Sequence, residues 1–185
     1  MSFLVNTPRL IMKVENDKAA DKVLKFYNEN RMYFDPFEPT RPEAFYTLEY
    51  QQASAQYEYN ETMKGHALRY YLYLRNDPSV LVGSVNFFRI RPIPFSSASI
   101  GYKLHHDFWG MGFATESCQA AIQVMFSDYN THRIEAKVSP DNVRSIHVLE
   151  RLGFTYEGIE YKSVQVDGEF KDHLRYSLLN SDYHV

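Results

Sequence analysis

The chain has 185 residues, 44% of them hydrophobic and 23% charged, with a formal net charge of −3. That length suits one domain with a sizeable core, and the composition is ordinary for a globular protein. No block of five or more Lys/Arg occurs and no run approaches about 20 apolar residues, so broad binding to nucleic acid or to an anionic membrane and a membrane-spanning segment are not expected.

The opening residues, MSFLVNTPRLIMK, lack the apolar run and small-residue cleavage site of a signal peptide, so the cytoplasm is the expected location. The one cysteine, Cys118, can form neither an internal disulfide nor a thiolate metal cluster. The 15 Tyr and 13 Phe suit a cleft-bearing surface as much as a core, since a Tyr can be half-buried with its hydroxyl wet.

In chain order, TPRLIMKV (7–14) reads as a strand. Asn16 and Asp17 cap a helix to about Arg31, with Ala20, Val23, Leu24 and Tyr27 on one face. MYFDPFEPTRPE (32–43) carries three prolines and is not expected to be regular helix. A second helix is expected from about Glu43 to Thr62. RYYLYLRN (69–76) and SVLVGSVNFFRI (79–90) are strands about the turn Asn76-Asp77-Pro78-Ser79. RPIPFSS is a loop and ASIGYKLH (98–105) a strand. A helix then runs to about Phe126, and HRIEAKVS (132–139) is a short strand. Pro140-Asp141-Asn142 opens a helix that ends at Gly153. FTYEGIEYKSVQV and EFKDHLRYSLL close the chain as a hairpin about Asp167-Gly168. The order β-α-α-β-β-β-α-β-α-β-β predicts one α+β domain over 1–185, with helices against a mixed sheet.

The stretch FWGMGFATES (108–117) places two glycines between a strand and a helix. Such a turn presents backbone N–H groups at a helix N-terminus, where the helix dipole adds partial positive charge. The natural guest is a phosphate. The third position of a Gly-x-Gly-x-x-Gly fingerprint is Thr115 here, and no Gly-Lys-Ser/Thr follows, so neither a Rossmann fingerprint nor a P-loop is present.

WGMGFATE, followed about thirty residues later by NVRSIHVLERLGF (142–154), resembles the GNAT superfamily of acyl-CoA N-acyltransferases, in particular its RimJ/RimL branch, which acetylates the N-termini of ribosomal proteins. TPRLIMK is similar to that branch's opening Thr-x-Arg-Leu strand, and FDPFEP (34–39) to its Pro-Trp-Glu-Pro segment with Phe37 in the Trp place. IGYKL (100–104) is similar to its fourth strand, and VQVDGEFKDHLRYSL to the RimJ ending. The resemblance covers about residues 7–180. It implies a mixed, mostly antiparallel sheet of about seven strands flanked by about four helices, with two central strands splayed to hold acyl-CoA.

It also implies acetyl-CoA as co-substrate, without a metal. Tyr102, Lys103 and Leu104 would offer a strand edge to the pantetheine. Trp109, Gly110, Met111, Gly112, Phe113, Ala114 and Thr115 would wrap the pyrophosphate. Asn142 would touch the pantetheine, Arg144 would approach the ribose phosphate, and Ser145 would protonate the leaving thiolate. From the residues alone, Asn142 reads equally as a helix N-cap and Ser145 as a hydroxyl bonded back to a helix carbonyl.

The general base is not matched. The family's strand Glu is replaced by Ser99, and a gapless count for a second Glu lands on Val164, with Glu160 four residues earlier. Glu38 and Glu160 are the candidate carboxylates. Tyr33, Asp35, Phe37, Glu38, Phe87 and Ser99 are candidates for the acceptor pocket, which the segment 32–43, the loop 91–97 and the last hairpin should frame. The expected partner is an amine, a protein N-terminus first, bound by a monomer or homodimer. A small-molecule amine (polyamine, amino acid or antibiotic) and a non-catalytic acyl-CoA-binding module stay open beside it.

Overall fold

The computed structural model describes residues 2–184. Strands β1 (Leu4–Asn6) and β2 (Leu10–Lys13) form a hairpin around Thr7-Pro8-Arg9. A short 3-10 turn, which Asn16 caps by accepting from the Lys18 N–H, leads into helix α1 (Ala20–Phe34). Helix α2 (Leu48–Met63) follows, and Thr47 caps it at the Tyr50 N–H. Strands β3 (Leu68–Leu74), β4 (Leu81–Arg91) and β5 (Ser97–Leu104) form a meander. Then come helix α3 (Phe113–Ser127), β6 (Arg133–Val138), helix α4 (Val143–Arg151), β7 (Thr155–Val166) and β8 (Glu169–Leu179).

The eight strands make one mixed sheet in the order β1-β2-β3-β4-β5-β6-β8-β7. Every pairing is antiparallel except β5 with β6. The fold class is therefore α+β as expected, with an eighth strand the sequence pattern did not show. β1 has only three residues, and Leu4 is exposed, so it has no apolar alternation to read. Two further boundaries differ. Residues 32–34 continue α1, because Pro36 sits just past the helix in a 3-10 turn and so removes no α1 hydrogen bond. The second helix is broken at Thr47 into a 3-10 turn (Glu43–Tyr46) and α2.

The sheet separates two apolar layers by side-chain alternation. On β3, Tyr70 and Leu72 join the core of α3, while Tyr71 and Tyr73 join the cluster of Val23, Phe26, Tyr27 and Phe34 on α1. The same alternation on β5 sends Ala98, Ile100, Tyr102 and Leu104 toward α3, and Lys103 toward α1. β5 and β6 pair only through Ser97–Ser99 with Arg133–Glu135. Beyond Ser99 the two strands part, and the edge of β5 from Ile100 to Leu104 has β4 on one side and no strand on the other. A cleft opens in that gap.

Candidate active site

The cleft has a volume of about 290 Å³ and runs from the end of α1 past β5 to the N-termini of α3 and α4. Of the residues singled out in the sequence, Tyr33, Phe37, Glu38, Tyr102, Lys103, Leu104, Trp109, Gly110, Gly112, Phe113, Ala114, Thr115, Asn142, Arg144 and Ser145 all line it. Residues from Tyr33 to Ser145 thus meet in one place.

One wall is backbone. Gly110 and Gly112 hold left-handed conformations, φ +75° and +81°, which turn the chain from β5 into α3. Gly112 is the N-cap of α3 and makes no side-chain cap bond, so the N–H groups of Phe113, Ala114 and Thr115, residues that line the cleft, are left without a cap. Arg144 stacks on Trp109, its guanidinium carbon 3.8 Å from the ring centroid. The Trp109 indole N–H donates to the Leu104 carbonyl at 3.0 Å, joining the turn to the strand edge. A free strand edge, an uncapped helix start and a nearby Arg suit a pantetheine amide chain and a pyrophosphate, so the residues fit coenzyme A.

A clamp from the first hairpin holds this wall. Glu116, in the first turn of α3, accepts from the Thr7 hydroxyl (2.6 Å), the Arg9 backbone N–H (2.9 Å) and the Arg9 Nε (2.6 Å). Arg9 Nη1 also donates to the Met111 carbonyl at 2.8 Å, and the guanidinium lies 4.4 Å from the Phe113 ring centroid. Burial alone would raise the Glu116 carboxyl, but the bonds from Thr7 and Arg9 outweigh it and hold it below the ordinary value. Thr-Pro-Arg-Leu and Ala-Thr-Glu are thus two halves of one structure. The sequence displays both motifs without showing that they meet.

The helix α4 carries Asn142 as its N-cap, accepting from the Ser145 N–H at 3.2 Å. Ser145 Oγ lies 2.7 Å from the Tyr102 hydroxyl, which is also 3.0 Å from the Ser145 carbonyl. The Tyr102 hydroxyl therefore ties β5 to the start of α4.

The other wall is made of side chains. Tyr33 stacks on His106 with ring centroids 4.4 Å apart and meets Trp109 edge-on at 5.2 Å. Glu38 pairs with Lys103 at 2.5 Å and with Arg41 at 2.6 Å. Burial pushes the Glu38 carboxyl up, but the two cations outweigh it and leave its pKa lowered. A carboxylate so held is a poor proton acceptor, which counts against Glu38 as the base.

Several expected residues lie outside the lining. Glu160 is engaged by Lys137, and by Arg175 at 3.7 Å, on the sheet face beyond the cleft. The bond from Lys137 chiefly lowers its pKa, so it too is a weak base. The count that lands on Val164 crosses a bulge between Glu160 and Val164, where alternation no longer tracks facing. Phe87 is 1% exposed and belongs to the core under β4, its side chain on the α3 side. Asp35 is paired with Arg31 and accepts from the Tyr46 hydroxyl. Met111 is exposed and contributes its carbonyl to Arg9. Ser99 sits in the paired stretch of β5, opposite Glu135 of β6.

That Glu135 was missed by the sequence reading, because the register of a parallel pair leaves no local signal. It is itself engaged, by Arg133 at 3.0 Å and Arg91 at 3.6 Å. The Pro-rich segment and the last hairpin do touch, through the Asp167 N–H and the Thr40 hydroxyl. No helix among the described residues is long and apolar enough to cross a membrane.

The family model "Acetyltransferase (GNAT) domain" matches residues 9–155. The chain is 31% identical over 180 residues to "[Ribosomal protein uS5]-alanine N-acetyltransferase" of Escherichia coli (strain K12), covering 97% of this chain and 92% of that protein. It is 35% identical over 164 residues to "Probable N-acetyltransferase YjcK" of Bacillus subtilis (strain 168), covering 88% and 90%. The crystal structure of ribosomal-protein-S5-alanine acetyltransferase from Vibrio fischeri superposes with a TM-score of 0.94 at 26% identity, over 100% of both chains.

Proposed function

This chain belongs to the GNAT acetyltransferase family, and from that premise we propose that the amine it acetylates is the N-terminal α-amine of a protein, a ribosomal protein beginning with Ala or Ser. The protein is an acetyl-CoA-dependent N-acetyltransferase of the RimJ/RimL type. The whole chain is read as one domain with its core at about 7–180. The reading implies a cytoplasmic location.

The observation that carries the acceptor is the state of the carboxylates. Glu38 is the only carboxylate among the described residues that line the cleft, and both of its oxygens are engaged by cations. A site whose one lining carboxylate is already held by two cations favours an amine that is already neutral. An α-amine of pKa about 7.8 is neutral roughly one time in seven at pH 7. A lysine amine near 10.4 costs about 3.5 kcal/mol more to deprotonate. Lys103, Arg144 and Arg151 also line the cleft, a charge balance that disfavours a polyamine.

In this reading the β5 edge and the turn 109–115 hold the coenzyme, Asn142 and Arg144 flank it, and Ser145 gives a proton to the departing sulfur. Tyr33, Phe37 and Glu38 wall the acceptor side. The test is acetyl-CoA turnover, followed by thiol release, on short peptides starting Ala, Ser, Met and Gly, on N-terminally blocked peptides with one internal Lys, and on small amines. Turnover confined to free Ala or Ser N-termini is expected. Turnover confined to a small amine would overturn the ribosomal-protein acceptor, and silence despite tight coenzyme binding would point to a non-catalytic module.

A further inference from the structure

We propose that Tyr102 is a positioning residue that aims the Ser145 hydroxyl hydrogen at the coenzyme sulfur, as a two-state hydrogen-bond switch. The proposal rests on the reading above that acetyl-CoA occupies this cleft with its thioester near Ser145.

The phenol has one hydrogen and two acceptors within reach, the Ser145 carbonyl at 3.0 Å and Ser145 Oγ at 2.7 Å. If the phenol donates to the carbonyl, Ser145 Oγ–H donates to the phenol oxygen and its hydrogen is turned from the cleft. If the phenol donates to Oγ, the serine hydrogen is released to point into the cleft that both residues line. Asn142 fixes the serine backbone through the Ser145 N–H, so the choice is between hydroxyl rotors and needs no movement of the helix. Growing negative charge on the sulfur favours the second arrangement, because hydrogen bonds to an ionising partner are about twice as strong as neutral ones. Burial raises the Tyr102 phenol well above its usual value, so it keeps its hydrogen and stays a donor.

The bonds balance. The nitrogen–carbon bond forms as the carbon–sulfur bond breaks. The sulfur takes the Ser145 hydrogen, and the proton lost by nitrogen restores it. Tyr102 keeps its own, and a neutral amine releases no net proton.

The test titrates the thiol of bound coenzyme A by the ultraviolet absorbance of its thiolate, in the unsubstituted protein, Tyr102→Phe, Ser145→Ala and the double variant. No acceptor is needed. The other titratable or cationic groups lining the cleft (Tyr33, Glu38, Lys103, Arg144, His147 and Arg151) are common to all four proteins. Each single variant is expected to lower the thiolate fraction about tenfold at a given pH, one unit in thiol pKa, with the double variant no worse than Ser145→Ala. In turnover, Tyr102→Phe should lower kcat about tenfold with the acetyl-CoA KM within about threefold, and add nothing in the Ser145→Ala background.

An unshifted thiol titration in Tyr102→Phe, or effects that multiply with Ser145→Ala, would overturn the proposal. A shifted titration with silence toward peptides would strike only the acceptor reading. Failure of the unsubstituted chain to bind coenzyme A would overturn both.

Discussion

The two walls of the cleft are built from different material. The coenzyme wall is main chain: a glycine turn, a free strand edge and two helix starts, drawn from the contiguous stretches 102–115 and 142–145. The acceptor wall is side chain. Its central ion pair joins Glu38 to Lys103 across 65 residues of sequence. A backbone wall recognises what all acyl-CoA molecules share and tolerates side-chain change. In the proposed reading the side-chain wall sets which amine is admitted, and substituting Glu38 there takes the partner from two cations.

The largest expected effect tests whether the coenzyme wall stands alone. Glu116→Ala removes three hydrogen bonds from a carboxylate that is 14% exposed and takes the ion-pair partner from Arg9. A loss of about 3 kcal/mol is expected, a fall in Tm of roughly 6–12 °C, with weaker coenzyme binding. Calorimetry with and without coenzyme A measures both. An unchanged Tm would show that the turn needs no anchor from the first hairpin. The Glu116 carboxyl is lowered by folding, so its contribution is present above its unfolded pKa and lost as pH falls below it.

Next, Glu38→Gln separates pairing from catalysis. Lys103 and Arg41 lose their common anion, and about 2 kcal/mol of stability should go with it. The acid limb of the pH–rate profile should stay, because it follows the acceptor amine. If that limb disappears and kcat falls about 100-fold or more, Glu38 is the base after all.

A smaller effect is expected for Arg144→Ala, which removes the guanidinium from the Trp109 ring. Coenzyme affinity measured by calorimetric titration should weaken about two- to fivefold. A loss of about 100-fold would show a direct phosphate contact instead.

The smallest concerns the sheet face outside the cleft. Glu157 accepts from Arg133 at 2.8 and 2.5 Å and from Ser177 at 2.7 Å, and its pKa falls from 4.5 to about 2, chiefly through the Arg133 bond. A depressed carboxylate stabilises above its unfolded pKa and loses that contribution as pH falls through the folded one. Glu157→Gln should therefore flatten the loss of Tm between pH 4.5 and about 2. An unaltered acid slope would assign it to Glu116 or Glu38.

Most of the fold was legible because its signals are local. The prolines, the Asp167-Gly168 turn and the alternating strands each declare themselves within a few residues, as does the Gly110/Gly112 turn. The three-residue β1 was not, having too few positions for a period. On the coenzyme wall, motif and structure coincide because backbone N–H groups are presented wherever a glycine turn opens a helix.

The sequence by itself determined the α+β class, the order of most elements and the position of the glycine turn that opens α3. The tertiary structure decided what each charged group does. Glu38 reads as a base until Lys103 and Arg41 are seen to hold it, and Glu160 until Lys137 does. Tyr102 reads as strand edge until its hydroxyl is found against Ser145, 43 residues away, and Arg9 as part of the opening strand motif until it meets Glu116 across 107. A hydrogen bond or ion pair depends on separations of a few ångströms, and chain folding sets those across sequence distances that no local pattern encodes.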